Sequence, residues 1–227
     1  MNYAILLAAG SGTRMESHDL PKCFIEINSK QIFEYSLDTF LSMVEINHVV
    51  LVVPNCFDEA ISLKLKDNKK VSVISGGNTR QESVFLALTY LNRKASDDDL
   101  VLIHDAARPL VNKRIILDNI NTAKTTGACM TAIKAIDTVV ESKDFVNVDN
   151  IPNRNGLFLE QTPATFKYKL IHDAHINARA FDRLDSSDDC ILAMQDGHKV
   201  ALVSGERNNF KITNEIDLAL FKTIINN

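Results

Sequence analysis

No apolar run in the sequence approaches the roughly 18 residues that a membrane-spanning helix requires, which speaks against an integral helical membrane protein. Only four cysteines occur, Cys23, Cys56, Cys129 and Cys190, and none forms a Cys-x-x-Cys pair. That spacing argues against structural zinc and a secreted disulfide framework, and leaves reduced thiols. Positive charge is not in excess: 25 Lys and Arg stand against 29 Asp and Glu, a net charge of −4. No long-range field therefore draws the chain to nucleic acid, and an anionic ligand must be met by a local basic cluster. Internal repeats, low-complexity tracts and linkers are absent. The first residues carry neither a basic region nor an apolar signal segment, so the expectation is a cytoplasmic protein.

What is present is an ordinary globular composition over 227 residues, enough for a sizeable core. Apolar runs at Ala4 to Leu7, Val49 to Val53, Val71 to Ile74 and Leu100 to Ile103 alternate with segments of helical period. The runs are nearly continuous, as expected of parallel strands covered on both faces, and the fold class is α/β. Thr79-Arg80-Gln81-Glu82 fits a capping box, after which Val84, Phe85, Leu88 and Leu91 fall on one helical face. Further helices are predicted at Gln31 to Met43, Lys113 to Lys124, Lys167 to Ala180 and Glu215 to Ile225. Ala135 to Asn153 breaks the rhythm and reads as two strands around Ser142-Lys143-Asp144. An isolated hairpin is marginal in water, so this arm should lie against another surface, a symmetry-related copy or the chain's own sheet.

The opening MNYAILLAAGSGTRM carries a strand into a loop whose small side chains let a ligand approach the backbone, as phosphate-binding loops do. Met15 replaces the third small residue of a dinucleotide fingerprint, and the Gly-Lys-Ser/Thr of a P-loop is missing. Arg14 and Lys22 follow instead, two cations that suit a triphosphate. A second glycine turn, Gly76-Gly77, delivers a helix N-terminus with Arg80 and Ser83 in its first turn, an end that can hold an anion. The strand LVLIH ends in HDAARP, so Asp105 and Arg108 should face the same crevice as the first loop. There Asp105 can hold a divalent cation or orient a hydroxyl, and Arg108 can fork onto an anion; a salt bridge between them closing the turn is the structural alternative. Lys211 in NNFKIT precedes a helix with Asn214 as its cap. Asp97-Asp98-Asp99 reads as a solvated loop, and His172 with His175 as a surface pair lacking a third metal ligand.

AAGSGTRM with LPKCF, GGNTRQESV, HDAARP, RNGLFLEQTP, SSDD and NFKIT, in this order, resemble the cytidylyltransferases that make CDP-linked polyols. These are the methylerythritol-phosphate and ribitol-phosphate cytidylyltransferases, and the resemblance covers nearly the whole chain. It implies a Rossmann-like nucleotidyltransferase fold, a mostly parallel sheet flanked by helices, in a single domain over 1–227 with 135–153 projecting as a β-arm for dimerisation. It also implies Mg²⁺ accompanying CTP, chiefly through its phosphates with Asp105 as a further ligand. By similarity Ala8, Ala9, Gly10, Gly12 and Thr13 wrap the nucleotide, with Arg14 and Lys22 on its phosphates. Gly77, Asn78, Arg80, Ser83 and Ala106 define the cytidine pocket. Asp105, Arg108 and Lys211 sit near the polyol phosphate, and Thr138 and Arg154 reach in from the partner of a homodimer. Arg14, Lys22 and Lys211 are the expected catalytic cations. DTVVES and DNIPNR lean toward ribitol 5-phosphate as acceptor, whereas LLAAG, HDAARP and SSDD lean toward 2-C-methyl-D-erythritol 4-phosphate, the acceptor favoured here. A sugar-1-phosphate nucleotidyltransferase and a non-catalytic nucleotide-binding protein are the rival readings, and neither nucleic acid nor membrane is an expected partner.

Overall fold

The protein is described by a computed structural model in which residues 1–10 and 20–226 are described. The four apolar runs become β1 (Asn2–Leu7), β4 (His48–Val53), β5 (Val71–Ser75) and β6 (Leu100–Asp105), all mutually parallel. With β7 (Ala128–Lys134), β8 (Phe158–Lys167) and β9 (Ala201–Ser204) they form a seven-stranded sheet in the order β5-β4-β1-β6-β8-β7-β9. β8 runs antiparallel to both neighbours, and β9 is parallel to β7. A two-stranded ribbon, β2 (Glu26–Ile27) with β3 (Lys30–Gln31), stands apart.

Side chains of β1 explain the layering. Ala4 and Leu6 point into one core with Leu51, Leu102, Phe33 and Ile116, while Tyr3 and Ile5 point into the other with Val50, Val101, Leu88 and Ile171. The first core is covered by α1 (Ile32–Leu41) and α4 (Lys113–Thr126), the second by α3 (Arg80–Leu91) and α5 (Tyr168–Ala180). Period-two alternation with both faces buried produces the continuous apolar runs seen in the sequence. α7 (Glu215–Asn226) closes a smaller cluster of Ile25, Ile32, Ile212 and Phe221. The shorter helices are α2 (Asp58–Leu65) and α6 (Asp189–Gln195).

The expected helix ends hold, with local changes. Thr79 caps α3 by accepting from the Glu82 amide at 3.0 Å, but the Glu82 carboxylate turns back to the Asn78 amide at 2.7 Å rather than to the cap residue. Asn214 caps α7, accepting from the Asp217 amide at 3.0 Å. Phe85 lies only partly covered, beneath the Arg179 guanidinium at 4.4 Å from its ring centre.

The two-strand expectation for 135–153 is not met: the segment holds a single isolated bridge, Glu141 to Asn150. Its turn centres near Phe145, beyond the expected Ser142-Lys143-Asp144: Phe145 has φ 59° and the Asp144 carboxylate accepts from the Val146 and Asn147 amides. Val140, Phe145, Val146, Val148 and Ile151 are exposed, so among the described residues no layer supplies the packing a regular hairpin needs. His175, expected on the surface, is fully buried.

Candidate active site

β1, β5 and β6 point the same way, so the loops leaving them emerge on one edge of the sheet, where ligands gather in open α/β folds. The Ala8 amide donates to the Val52 carbonyl, the Gly76 amide to Val53 and the Ala106 amide to Leu7, extending the ladders into the turns. A Cβ on Gly76 would stand 2.5 Å from the Ala9 Cβ, so glycine is what allows the two turns to touch. The Ser83 hydroxyl accepts from the Gly77 amide at 3.1 Å and donates to the Thr79 carbonyl at 2.9 Å, clamping the second turn onto α3. Between the turns lies a cavity of about 480 Å³ lined by Ala9, Gly10, Lys22, Cys23, Gly77, Asn78, Thr79, Arg80, Ser83, Asp105, Lys211 and Thr213, among others.

Asp105 is the electrostatic centre. One carboxylate oxygen accepts from Lys211 Nζ at 2.7 Å and the other faces Arg80 Nε at 3.4 Å. Burial pushes this carboxyl up, but Lys211, Arg80 and Arg108 outweigh it and hold the group below the usual carboxylate range. Arg80 also reaches Asp189 Oδ2 at 2.7 Å; burial opposes its charge, and Asp189 with Asp105 more than restores it. Behind Asp105, the Thr162 hydroxyl accepts from its amide at 3.0 Å and meets His104 Nδ1 at 3.0 Å. Burial lowers His104 to about 4, so it is a neutral strut that also holds the Arg108 carbonyl at 3.1 Å. Burial pushes the Cys23 thiol up to about 12, which makes it an inert wall.

Of the residues read from sequence, Ala9, Gly10, Lys22, Gly77, Asn78, Arg80, Ser83, Asp105 and Lys211 share this cavity. Ala8 and Ala106 lie just beneath it, fully buried. Gly12, Thr13 and Arg14 lie outside the described residues. Arg108 does not form the expected fork on the cavity and does not pair with Asp105. Its Nη1 donates to the Asn209 carbonyl at 3.0 Å and its Nη2 to the Glu160 carbonyl at 3.2 Å, tying the HDAARP turn to β8 and to the strand of chain that carries Lys211. Thr138 and Arg154 are exposed, and Arg154 Nη1 donates to the Ile136 carbonyl at 2.6 Å within its own arm. Sequence reasoning assigned no role to Thr162, Asp189 or Thr213. QTP, SSDD and NFKIT marked all three as motif members, but the partners of Thr162 and Asp189 lie 57 and 109 residues away.

A mostly parallel α/β sheet with glycine turns and cations converging at the carboxyl edge of its parallel strands defines an enzyme that binds a nucleotide and handles phosphates. The family model for 2-C-methyl-D-erythritol 4-phosphate cytidylyltransferase, IspD, matches residues 2–227. A protein of that name from Thermosipho africanus is 40% identical over 224 residues, covering 97% of this chain and 96% of the relative. The crystal structure of 4-diphosphocytidyl-2C-methyl-D-erythritol synthase from Anaerococcus prevotii superposes with a TM-score of 0.86 at 31% identity, covering 100% of this chain and 96% of the other. The Francisella tularensis 2-C-methyl-D-erythritol 4-phosphate cytidylyltransferase gives 0.84 at 27% identity, with 97% and 99% covered. The chain belongs to the IspD family of 2-C-methyl-D-erythritol 4-phosphate cytidylyltransferases. It is a nucleotidyltransferase of isoprenoid precursor biosynthesis, using CTP and a polyol phosphate, and the methylerythritol branch favoured from sequence is the one the relatives support.

Proposed function

We propose that the cavity between the two glycine turns is where CTP and 2-C-methyl-D-erythritol 4-phosphate meet, and that cytidylyl transfer there is in-line substitution at the α-phosphorus. The observation that carries this is charge: three cations, Lys22, Arg80 and Lys211, line the cavity against one carboxylate, Asp105, among its described lining residues. A phosphate oxygen of the polyol phosphate forms the new bond to the α-phosphorus, and the bond to the departing pyrophosphate breaks. The attacking oxygen is already ionised at neutral pH, so no side chain has to remove a proton. The protein aligns two mutually repelling anions and stabilises charge on phosphorus and pyrophosphate, the work of Lys22 and Lys211 here and, from the resemblance, of Arg14. Gly77, Asn78, Arg80 and Ser83 hold the nucleotide with Ala8, Ala9, Gly10, Gly12, Thr13 and Ala106. Asp105, held ionised, accepts from a polyol hydroxyl while its other partners fix it. Arg108 acts behind the cavity by positioning the Lys211 segment.

A resident Mg²⁺ does not suit these side chains: both Asp105 oxygens face cations, and no cluster of three His, Cys, Asp or Glu stands ready for a metal among the described residues. We assign Mg²⁺ to the phosphates of CTP, arriving with the nucleotide. The arm at 135–153 is read as a homodimer contact carrying Thr138 and Arg154 to the partner's cavity. Its support is the row of exposed apolar side chains and the exposure of Thr138 and Arg154, neither of which lines its own chain's cavity. The free thiols support action in a reducing compartment such as the cytoplasm, and the net charge of −4 offers no long-range attraction for nucleic acid. Pyrophosphate release with CTP and either 2-C-methyl-D-erythritol 4-phosphate or ribitol 5-phosphate, with and without chelator, tests the reading. Release with the first acceptor only, abolished by chelator, is expected; preference for ribitol 5-phosphate overturns it.

A further inference from the structure

The Arg80 guanidinium lies between the cavity and a buried pair outside it. Asp189, the first residue of α6, offers Oδ2 to Arg80 Nη1 at 2.7 Å and Oδ1 to His175 Nε2, on α5, at 3.0 Å. The side chains of Asp189 and His175 are 1% and 0% exposed. Burial alone would push the Asp189 carboxyl up, but Arg80 and His175 hold it below the usual range, so both oxygens accept and His175 Nε2 carries the hydrogen. The surrounding segment is fixed to the same end of α3. Gln81 accepts from the Ser186 amide at 2.7 Å and donates to the Arg183 carbonyl at 2.7 Å, and Asp188 caps α6 by accepting from the Cys190 amide.

Without a second donor, the Asp189 carboxylate could rotate within its pocket and Arg80 would be drawn to Asp105, where Lys211 already sits. We propose that His175 is a positioning residue for cytidylyl transfer: by holding Asp189 it sets Arg80 at the nucleotide edge of the cavity and leaves Asp105 to Lys211. His175 touches neither substrate, and its action passes through Asp189 and Arg80. The proposal rests on the assignment of Arg80 to the nucleotide.

The test is steady-state kinetics on the full-length enzyme. His175→Gln places an amide near the position of Nε2 and keeps the donor; His175→Asn is polar but too short to reach Asp189. We expect His175→Asn to raise KM for CTP about tenfold, with KM for the polyol phosphate within twofold, and His175→Gln to restore the parental value. In an Arg80→Met background the same His175 substitutions should have no further effect on KM for CTP, because neighbours that act through one another are not additive. Equal KM values for the Gln and Asn variants, or a full tenfold effect retained in the Arg80→Met background, would overturn the proposal. Arg80→Met by itself tests the separate assignment: an unchanged KM for CTP in that variant removes Arg80 from the nucleotide without bearing on the transfer reaction.

Discussion

Replacing Lys211 by Met removes the closest cation from Asp105 while keeping an apolar stem of similar length. Two consequences separate by assay. If the ammonium stabilises charge that develops during transfer, its loss costs roughly 3–4 kcal/mol of transition-state stabilisation, or about 10²–10³ in turnover. The stability cost is smaller. Arg80 still faces the other Asp105 oxygen at 3.4 Å, and the Lys211 side chain is 32% exposed, so solvent already screens the pair. About 1 kcal/mol is expected, a fall in melting temperature of roughly 2–4 °C for a chain of this size. The pH dependence carries the sign. Asp105 has a folded pKa below its unfolded one, so its contribution is fully present above the unfolded value near 3.9 and is lost as pH falls toward the folded value. The melting difference between parent and Lys211→Met should therefore be constant from about pH 7 to pH 5 and shrink below about pH 4. Calorimetry across that range and pyrophosphate release at neutral pH supply the two readings. Turnover within threefold of the parent, or a melting difference that does not narrow in acid, would refute the reasoning.

Lys22→Ala should remove most turnover, by the same roughly 10²-fold or more, while circular dichroism and melting stay near the parent, since Lys22 stands at the cavity wall rather than in the core. Near-normal kinetics would take away its role. Phe145→Asp with Val146→Asp places charge on the exposed apolar tip of the arm and should convert the proposed dimer to monomer in sedimentation velocity, with turnover lost in step. A monomer with full turnover would separate the arm from the site. Cys56 is exposed, whereas burial pushes the Cys23 and Cys129 thiols up to about 12 and raises Cys190, so a thiol reagent should label one cysteine in the native chain and four after unfolding. Labelling of two or more before unfolding counts against the buried assignments.

Nearly continuous apolar runs made β1, β4 and β6 readable, because parallel strands covered on both faces bury most of their side chains, and the edge strand β5 still carries Val71, Val73 and Ile74. β7 and β8 were hidden by polar residues at core positions. Asn119 donates to the Thr131 hydroxyl at 2.8 Å and accepts from Thr165 at 3.2 Å, so buried polar groups satisfy one another across elements and erase the expected pattern. α2 escaped notice because Ile61 alone among its residues is buried, leaving almost no apolar stripe.

The sequence by itself determined the chemistry available at the site: glycine turns after two strands, the Asp105 carboxylate at the end of a third, and cations at Lys22, Arg80 and Lys211, each tied to a local feature of strand end or helix start. Only the tertiary structure decided their allegiances. Arg108 was legible as a cation near the crevice, yet its guanidinium goes to two backbone carbonyls, and His175 was legible as one of a helical pair, yet it is buried against Asp189. The reason is that local spacing sets which groups leave an element and in which direction, while a charge's partner is whatever the packing of distant segments brings within about 3 Å of it.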